Sequence, residues 1–509
     1  MNKLYFGDNL EVLREMDDER VNLICTDPPF NSGRDYNAFI DDSIAQKKAF
    51  TDTWTWDAVS QDTRADIEHR AYTNDTYKAL NNSLKGYDSV LQNAVSGSRG
   101  QTRAYLAFMG PRLAEMHRVL TKNGSIYVHC DPTASHYLKG IMDAIFGADN
   151  FRREIIWNLN TASGYKSQVN GFIRGHDVIL YYVKNTDTFV FNKIFQPHKP
   201  EYIRRFKKVD EQGRHYRDDR PGRARQYLDQ TRGVALTDVW SDIMSFQQNS
   251  TSVERLGYPT QKPRVLYERM IKASSNKGDI VLDPFCGCGT TIDAAHTLHR
   301  QWIGIDITIL ALDPMRQRLK DRHGLEPSID YQIEGYPTNM QEVHKFLREG
   351  DKRKYHDFSN WAVTRLGLKP TRDVSDGGHD GVGYVTLWNP KQMKETDARI
   401  LAEVKTGKLT LTQVRAFCHV MDQNNADIGI FITLEPVSKS MQQEAENMGS
   451  FIHNGQHYPR LQFWQINDGY FENPDSINTH VRLPSEWRIR PSRKSERHFA
   501  GQQPELLRG

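Results

Sequence analysis

Cysteine is scarce in this chain of 509 residues: Cys25, Cys130, Cys286, Cys288 and Cys418 are all it has, and no two are spaced as CxxC. An odd number without that spacing indicates neither a disulfide framework nor a zinc site. Long apolar runs are missing too, so no segment reads as a membrane-spanning helix. Polar residues interrupt Met1-Asn2-Lys3-Leu4-Tyr5-Phe6-Gly7-Asp8 at once, so it does not read as a signal peptide, and the cytoplasm is the expected compartment. No GxxxxGK(S/T) occurs, which excludes an ATP motor of the P-loop type in this sequence. An excess of charge is also lacking. The net charge is +3, so any case for a polyanionic partner rests on how the charge is distributed. With 38% hydrophobic and 26% charged residues, the composition suits about three polar globular domains.

What is present centres on Val21-Asn22-Leu23-Ile24-Cys25-Thr26-Asp27-Pro28-Pro29-Phe30. The apolar run reads as a buried parallel strand. Two prolines lack the N–H and the freedom of φ that a central strand needs, so the strand stops at Asp27. Ligands of open α/β sheets bind at that carboxyl edge. Taken alone, the stretch is a strand-ending turn with a solvated Asp and a packed Phe. Taken as chemistry, it delivers a carboxylate, a rigid carbonyl and an aromatic ring together. Asp27 and the Pro28 carbonyl can each accept an N–H from a poorly nucleophilic base amine, Pro29 stiffens the turn, and Phe30 offers a stacking face for an extruded base.

These four residues resemble the (D/N/S)PP(Y/F/W) motif of the DNA adenine-N6 and cytosine-N4 methyltransferases. Phe30 stands where many members have Tyr, which keeps the stacking and loses the hydroxyl. The cytosine-C5 enzymes are disfavoured, because no Pro-Cys dipeptide occurs. A second signal is Asp283-Pro284-Phe285-Cys286-Gly287-Cys288-Gly289, which follows an apolar strand and precedes a helix. Asp306 ends the next strand. Bare glycines and an acidic residue about 20 positions on suit a nucleoside ligand, dinucleotides included. The spacing is not GxGxxG, and it resembles motif I of S-adenosylmethionine-dependent methyltransferases. Tyr258-Pro259-Thr260-Gln261-Lys262-Pro263 resembles their motif X. The resemblance implies cofactor binding by Asp8, Thr260, Lys262, Asp283, Phe285, Gly287, Gly289 and Asp306. It also implies catalysis by Asp27, Pro28, Pro29 and Phe30. The order of the motifs matches the β group, in which a target recognition region lies between catalytic and cofactor halves. Asp in the catalytic motif favours adenine N6 over cytosine N4.

That intervening region is basic. Arg204, Arg205, Lys207 and Lys208 lead a run of Lys and Arg interleaved with Tyr202, Phe206, Tyr216 and Tyr227. It reads as a double-stranded DNA contact rather than a plain solvated face. Beyond Asp321 the character changes. Asp380 lies in a Gly-rich turn, and Glu403 and Lys405 share one face of a strand, since alternate residues point the same way. Two carboxylates and a lysine suit Mg²⁺ and a water to be oriented. The order helix, Asp380, Glu403-x-Lys405, helix, strand resembles the PD-(D/E)xK nucleases, with the Mrr-like restriction enzymes nearest. On that resemblance Asp380 and Glu403 hold Mg²⁺ and Lys405 joins them in catalysis; Asp357 is a further acidic candidate.

The expected architecture is therefore α/β. A Rossmann-like, S-adenosylmethionine-dependent methyltransferase sheet occupies residues 1–321, with a lid or surface insert at 31–100 and target recognition at 185–240. A linker follows at 322–350, then an Mrr-like α/β nuclease domain at 351–487 and a flexible basic tail at 488–509. The expected activity is site-specific methylation of a base amine, with a Mg²⁺-dependent endonuclease in the same chain as in restriction–modification. The alternatives are a methyltransferase whose C-terminal module only binds DNA or a partner, and an RNA or protein amino-methyltransferase. No membrane partner is expected, and a homodimer is left open.

Overall fold

The computed structural model describes residues 2–30, 35–39, 46–51, 54–92, 99–159, 170–218, 224–249, 251–256, 260–307, 309–335, 339–348, 352–366, 368–371, 378–389, 394–453, 455–472 and 477–484. Tyr258 and Pro259 of the motif X stretch and the tail 488–509 lie outside them.

Among the described residues, nine strands form the main sheet. Their order is Val239–Trp240, Phe151–Asn158, His176–Val183, Leu120–Cys130, Val21–Thr26, Ile280–Asp283, Gln301–Asp306, Asn2–Phe6 and Tyr331–Glu334. All neighbours are parallel except His176–Val183, which runs antiparallel to the strands on both sides of it. The Val21–Thr26 strand lies at the centre, between Leu120–Cys130 and Ile280–Asp283. Leu23, Ile24 and Cys25 are fully buried, as a strand covered on both faces requires. This central position puts Asp27 and Asp283 on adjacent strand ends, although they are far apart in the chain.

Helices flank the sheet. The Arg99–Val119 helix runs directly into the Leu120–Cys130 strand, so Lys122-Asn123-Gly124 lies inside the strand. The stretch 31–100, read as a lid or surface excursion, contains two packed helices, Ala58–Arg70 and Asp75–Gln92. Leu80 and Leu84 of the second recur at helical spacing and are buried with Ile67, Met109 and Leu113. The stretch 322–350, read as a linker, supplies the Tyr331–Glu334 edge strand and the helix Met340–Arg348. Tyr331 is buried against Trp302, with ring centroids 5.5 Å apart.

The C-terminal module is a five-stranded sheet in the order Lys369–Pro370, Gly381–Asn389, Lys394–Lys405, Ile428–Thr433, Leu461–Gln465. Gly381–Asn389 and Lys394–Lys405 pair antiparallel, while Ile428–Thr433 adds parallel. The Leu411–Gln423 helix starts with a capping box between Thr410 and Gln413. Phe358, Trp361 and Ile400 belong to the same continuous core as Leu4 and Trp302 of the main sheet. The two modules are thus packed together as well as joined in sequence. No helix among the described residues is long and apolar enough to cross a membrane.

Candidate active site

Asp27 leaves the central strand at its carboxyl end, with Pro28 buried and Phe30 half-buried beside it. Its carboxylate is 11% exposed and faces the Lys262 ammonium and the His129 ring. Lys262 Nζ is 2.6 Å from Oδ2, and His129 Nδ1 is 3.2 Å from Oδ1. The second contact is close without the alignment of a hydrogen bond, so Asp27 Oδ1 and His129 Nδ1 are buried with no hydrogen-bond partner among the described residues. The Phe30 ring lies 5.3 Å from the His129 ring and 5.0 Å from Lys262 Nζ. An aromatic face and an unsatisfied carboxylate oxygen therefore stand side by side.

His129 comes from the neighbouring strand and is itself held from behind. Its Nε2 is 3.2 Å from Asp177 Oδ2, and Asp177 in turn pairs with Arg174. Burial pushes the Asp177 carboxyl up, but the His129 hydrogen bond and the charges of Arg174 and Lys262 outweigh it and hold it well below the usual range. The side chains form a continuous chain of contacts, Lys262, Asp27, His129, Asp177, Arg174, in which the His129 ring lies between two carboxylates.

The glycine-rich turn sits at the end of the next strand. Gly289 adopts φ +76°, and a Cβ there would meet Met315 Cγ at 2.5 Å, so glycine is required on both counts. Asp306 Oδ2 accepts the Gly287 N–H at 2.8 Å, which ties the turn to the neighbouring strand end. Asp283 accepts from Thr291 Oγ1 at 2.5 Å and from the Phe285 N–H at 3.1 Å. Burial, with smaller contributions from Asp27 and Asp306, raises its carboxyl to about 7. Tyr267, fully buried, feels both Asp27 and Asp283. Burial and those charges push its hydroxyl well up, so it stays protonated.

Three residues expected to bind the cofactor also have partners within the protein. The Lys262 ammonium is on Asp27, because Thr260-Gln261-Lys262 passes beside the catalytic strand end; the Thr260 carbonyl also accepts from it at 3.2 Å. Asp8 caps the helix that follows it and binds Arg112 through both oxygens at 2.8 and 2.9 Å. Asp283 is turned into the core, where it shapes the turn from behind. Phe285 is half-buried, with its ring 6.2 Å from Phe108.

In the intervening region, short strands at Lys208–Val209, His215–Arg217 and Gln226–Tyr227 form a small sheet. Arg204, Arg205, Lys207 and Lys208 are all exposed on it, and Lys208 pairs with Asp218 at 2.7 Å. Beside them opens a groove of about 670 Å³, lined by His198, Tyr202, Arg217, Arg225, Tyr227 and Arg232 among others. The Arg217 guanidinium lies 4.9 Å over the Tyr202 ring, and Arg214 lies 3.8 Å over Tyr227.

In the C-terminal module Asp380, Glu403, Lys405 and Tyr355 come together. Asp380 Oδ2 accepts the Val404 N–H at 2.7 Å, and Lys405 Nζ is 2.7 Å from Glu403 Oε1. Burial lowers the Lys405 ammonium, but Glu403 and Asp380 more than offset this and hold it above its usual range. No group of three or more metal-binding side chains occurs among the described residues. The side chain of Asp357 lies outside them.

A central Asp-Pro-Pro-Phe strand end beside a glycine-rich strand end defines a class, and comparison with known proteins agrees. Residues 21–313 match the N6/N4 DNA methylase family model, more than half of the chain, and the protein belongs to that family. It is 26% identical to the type II methyltransferase M.HpaI of Haemophilus parainfluenzae, over 73% of this chain and 94% of that one. It is 29% identical to M.EcaI of Enterobacter cloacae, over 50% of this chain and 66% of that one. The DNA adenine methyltransferase YhdJ of Escherichia coli is 26% identical, over 59% and 76%. Residues 356–458 match a different family, NACHT-associated inactive Restriction Endonuclease 1.

Proposed function

We propose that the chain transfers a methyl group from S-adenosylmethionine to an exocyclic amine of a base in double-stranded DNA, with adenine N6 favoured over cytosine N4. The observation that carries this is the Asp27 carboxylate, buried at the central strand end with Oδ1 unsatisfied beside the Phe30 ring. Such an oxygen accepts an N–H from an extruded base, and Phe30 stacks the ring. The Pro28 carbonyl accepts the second N–H, which turns the nitrogen lone pair outward. Prolines on both sides of that carbonyl keep it fixed, so little reorganisation remains for the reaction.

The residues fit the cofactor. The bare backbone of Gly287 lies against Asp306, which suits ribose hydroxyls, and Gly289 completes the turn. When bound, S-adenosylmethionine supplies an electrophilic methyl group on a sulfonium centre. Asp283 and Thr291 hold the turn, Asp8 and Arg112 fix the adjoining strand end, and Tyr267, buried within reach of the charges of Asp27 and Asp283, stays neutral. Support for DNA as substrate comes from the family and from the exposed basic residues of the intervening region. Sequencing the DNA of an expressing host for methylated bases tests the reading. A modified site is expected with the wild type and should vanish with Asp27→Ala. Cofactor affinity should persist in that variant, since Gly287, Gly289 and Asp306 are untouched. Loss of cofactor binding equal to the loss of methylation would contradict this division.

For the C-terminal module the preferred reading is a restriction-endonuclease-like fold that engages DNA or a partner without cutting. The inactive family matched by residues 356–458 supports it. A second reading, Mg²⁺-dependent cleavage, draws on the meeting of Asp380, Glu403 and Lys405. Two carboxylates are enough for Mg²⁺ when substrate phosphate and waters complete its shell. Asp380 and Glu403 are the residues that would hold it, and Lys405, kept protonated, would face the phosphate.

A further inference from the structure

His129 is buried at the catalytic strand end, and nothing in the reading so far gives it a task. Its ring stands between two carboxylates. Nε2 is 3.2 Å from Asp177 Oδ2, and Nδ1 is 3.2 Å from Asp27 Oδ1. Asp177 is held well below the usual carboxylate range, so it is ionised and can only accept. The proton of that bond therefore sits on Nε2, which leaves Nδ1 a bare acceptor. Nδ1 and Asp27 Oδ1 are then two buried acceptors side by side, neither with a hydrogen-bond partner among the described residues. The count of charges agrees. Lys262 offsets Asp27 and Arg174 offsets Asp177, so the row is neutral with a neutral ring at its centre.

We propose that His129 takes the proton that the target amine sheds on methylation, by way of Asp27 Oδ1. This rests on the methyltransferase reading above. The amine lone pair forms the new N–C bond, and the S–C pair stays with the sulfur. The nitrogen, now positive, gives up the proton that already rests on Oδ1 and keeps the N–H pair. The Nδ1 lone pair then takes that proton from Oδ1, so Asp27 ends ionised as it began. Contacts of this kind are often unaligned before substrate binds and tighten in the complex. The ring ends as an imidazolium between two carboxylates, surroundings that favour its charge. One positive charge is lost at the sulfonium and one appears on the ring, so the net charge of the pocket does not change. His129 packs against Phe30 and Trp157, with ring centroids 5.3 and 5.7 Å away, and bulk water has no direct access to Nδ1. The site therefore supplies its own proton acceptor.

The pH profile of transfer tests this. Single-turnover methylation of a duplex carrying the site modified in an expressing host is followed from about pH 5 to 8, the range in which an imidazole titrates. His129→Gln removes the acceptor and should slow transfer about 100-fold, the size of a general-base contribution. Asp177→Asn lets the ring proton move to Nδ1 and should slow transfer comparably. The wild-type rate should fall towards acid pH as the ring charges, and that limb should vanish in His129→Gln. The charged groups facing the ring are Asp27, backed by Lys262, and Asp177, backed by Arg174, which also reaches Asp131. Cys130 and Tyr267 are pushed well up by burial and stay protonated. Asp283, raised to about 7, is the other group that titrates in this window, so Asp283→Asn must keep the limb. Affinities of His129→Gln for DNA and for S-adenosylhomocysteine should be those of the wild type. An unchanged acid limb in folded His129→Gln, or a loss of rate matched by an equal loss of DNA affinity, would overturn the proposal. Should His129→Gln fail to fold, Asp177→Asn decides, and a wild-type rate there would overturn it too. A wild type that methylates no DNA sinks the methyltransferase reading instead, and shows it before any variant is made.

Discussion

Asp27 and Phe30 were legible because the chemistry is contiguous: one turn supplies the carboxylate, the carbonyl and the ring. His129, Asp177, Arg174 and Tyr267 were missed because they come from separate elements that only sheet pairing brings together. A signal did exist. Three apolar strands end in the same dipeptide, at Asp27-Pro28, Asp131-Pro132 and Asp283-Pro284. The first is proposed to act on the substrate, the second caps a helix, and the third braces a turn. Lys262 was read for the cofactor, and its contact with Asp27 was not legible because motif order says nothing of which strand end a side chain leans towards. Asp283 carries a prediction of its own. Its carboxyl is raised to about 7 from an ordinary value of 3.8, so the folded state holds a proton that the unfolded state has lost. Stability should therefore be fullest near pH 4 and fall as pH rises through 7. Urea unfolding at pH 5 and pH 8 should show a loss on the order of a few kcal/mol for this residue in the wild type. Asp283→Asn should flatten the difference, and an equal slope in both proteins would place the titration elsewhere.

At the level of elements, strands and helices of the main sheet followed from apolar runs and their turn residues. The insert at 31–100 did not, because its helices are polar on most faces and bury only a narrow stripe, with Leu80 and Leu84 at its centre. The Tyr331–Glu334 strand was hidden for the opposite reason. It is a short edge strand, and its pairing with Asn2–Phe6 joins residues more than 300 positions apart. The basic region is legible as charge but not as shape, and its groove appears only once three short strands are paired. Neutralising Arg204, Arg205, Lys207 and Lys208 together should weaken DNA binding and flatten its salt dependence by roughly one unit of slope per lost phosphate contact. Lys208 should contribute least, since Asp218 already pairs with it. A salt slope identical to wild type would move the recognition surface away from this face.

For the whole molecule, one chain carries a methyltransferase domain and, on a shared core, a C-terminal module whose residues 356–458 match an inactive restriction endonuclease family. Purified protein incubated with Mg²⁺ and matched methylated and unmethylated DNA should cut neither substrate. Lys405→Ala should leave methylation as it is, because Lys405 lies in the C-terminal sheet and contacts Glu403 rather than any part of the Asp27 network. Cleavage that the same substitution abolishes would establish the nuclease reading instead.

The central strand also sets a schedule for synthesis. Val21–Thr26 is flanked on one side by a strand that begins at Leu120 and on the other by one that begins at Ile280. At about 5–20 residues per second, the wait between making the first strand and its second neighbour is on the order of 10–50 s. During that interval a mostly apolar strand has at least one free edge, and the carboxylate that follows it has no Lys262 to meet. The Asp27 strand end is translated first, yet it is completed only after the segments that carry Lys262 and Asp283 have been made.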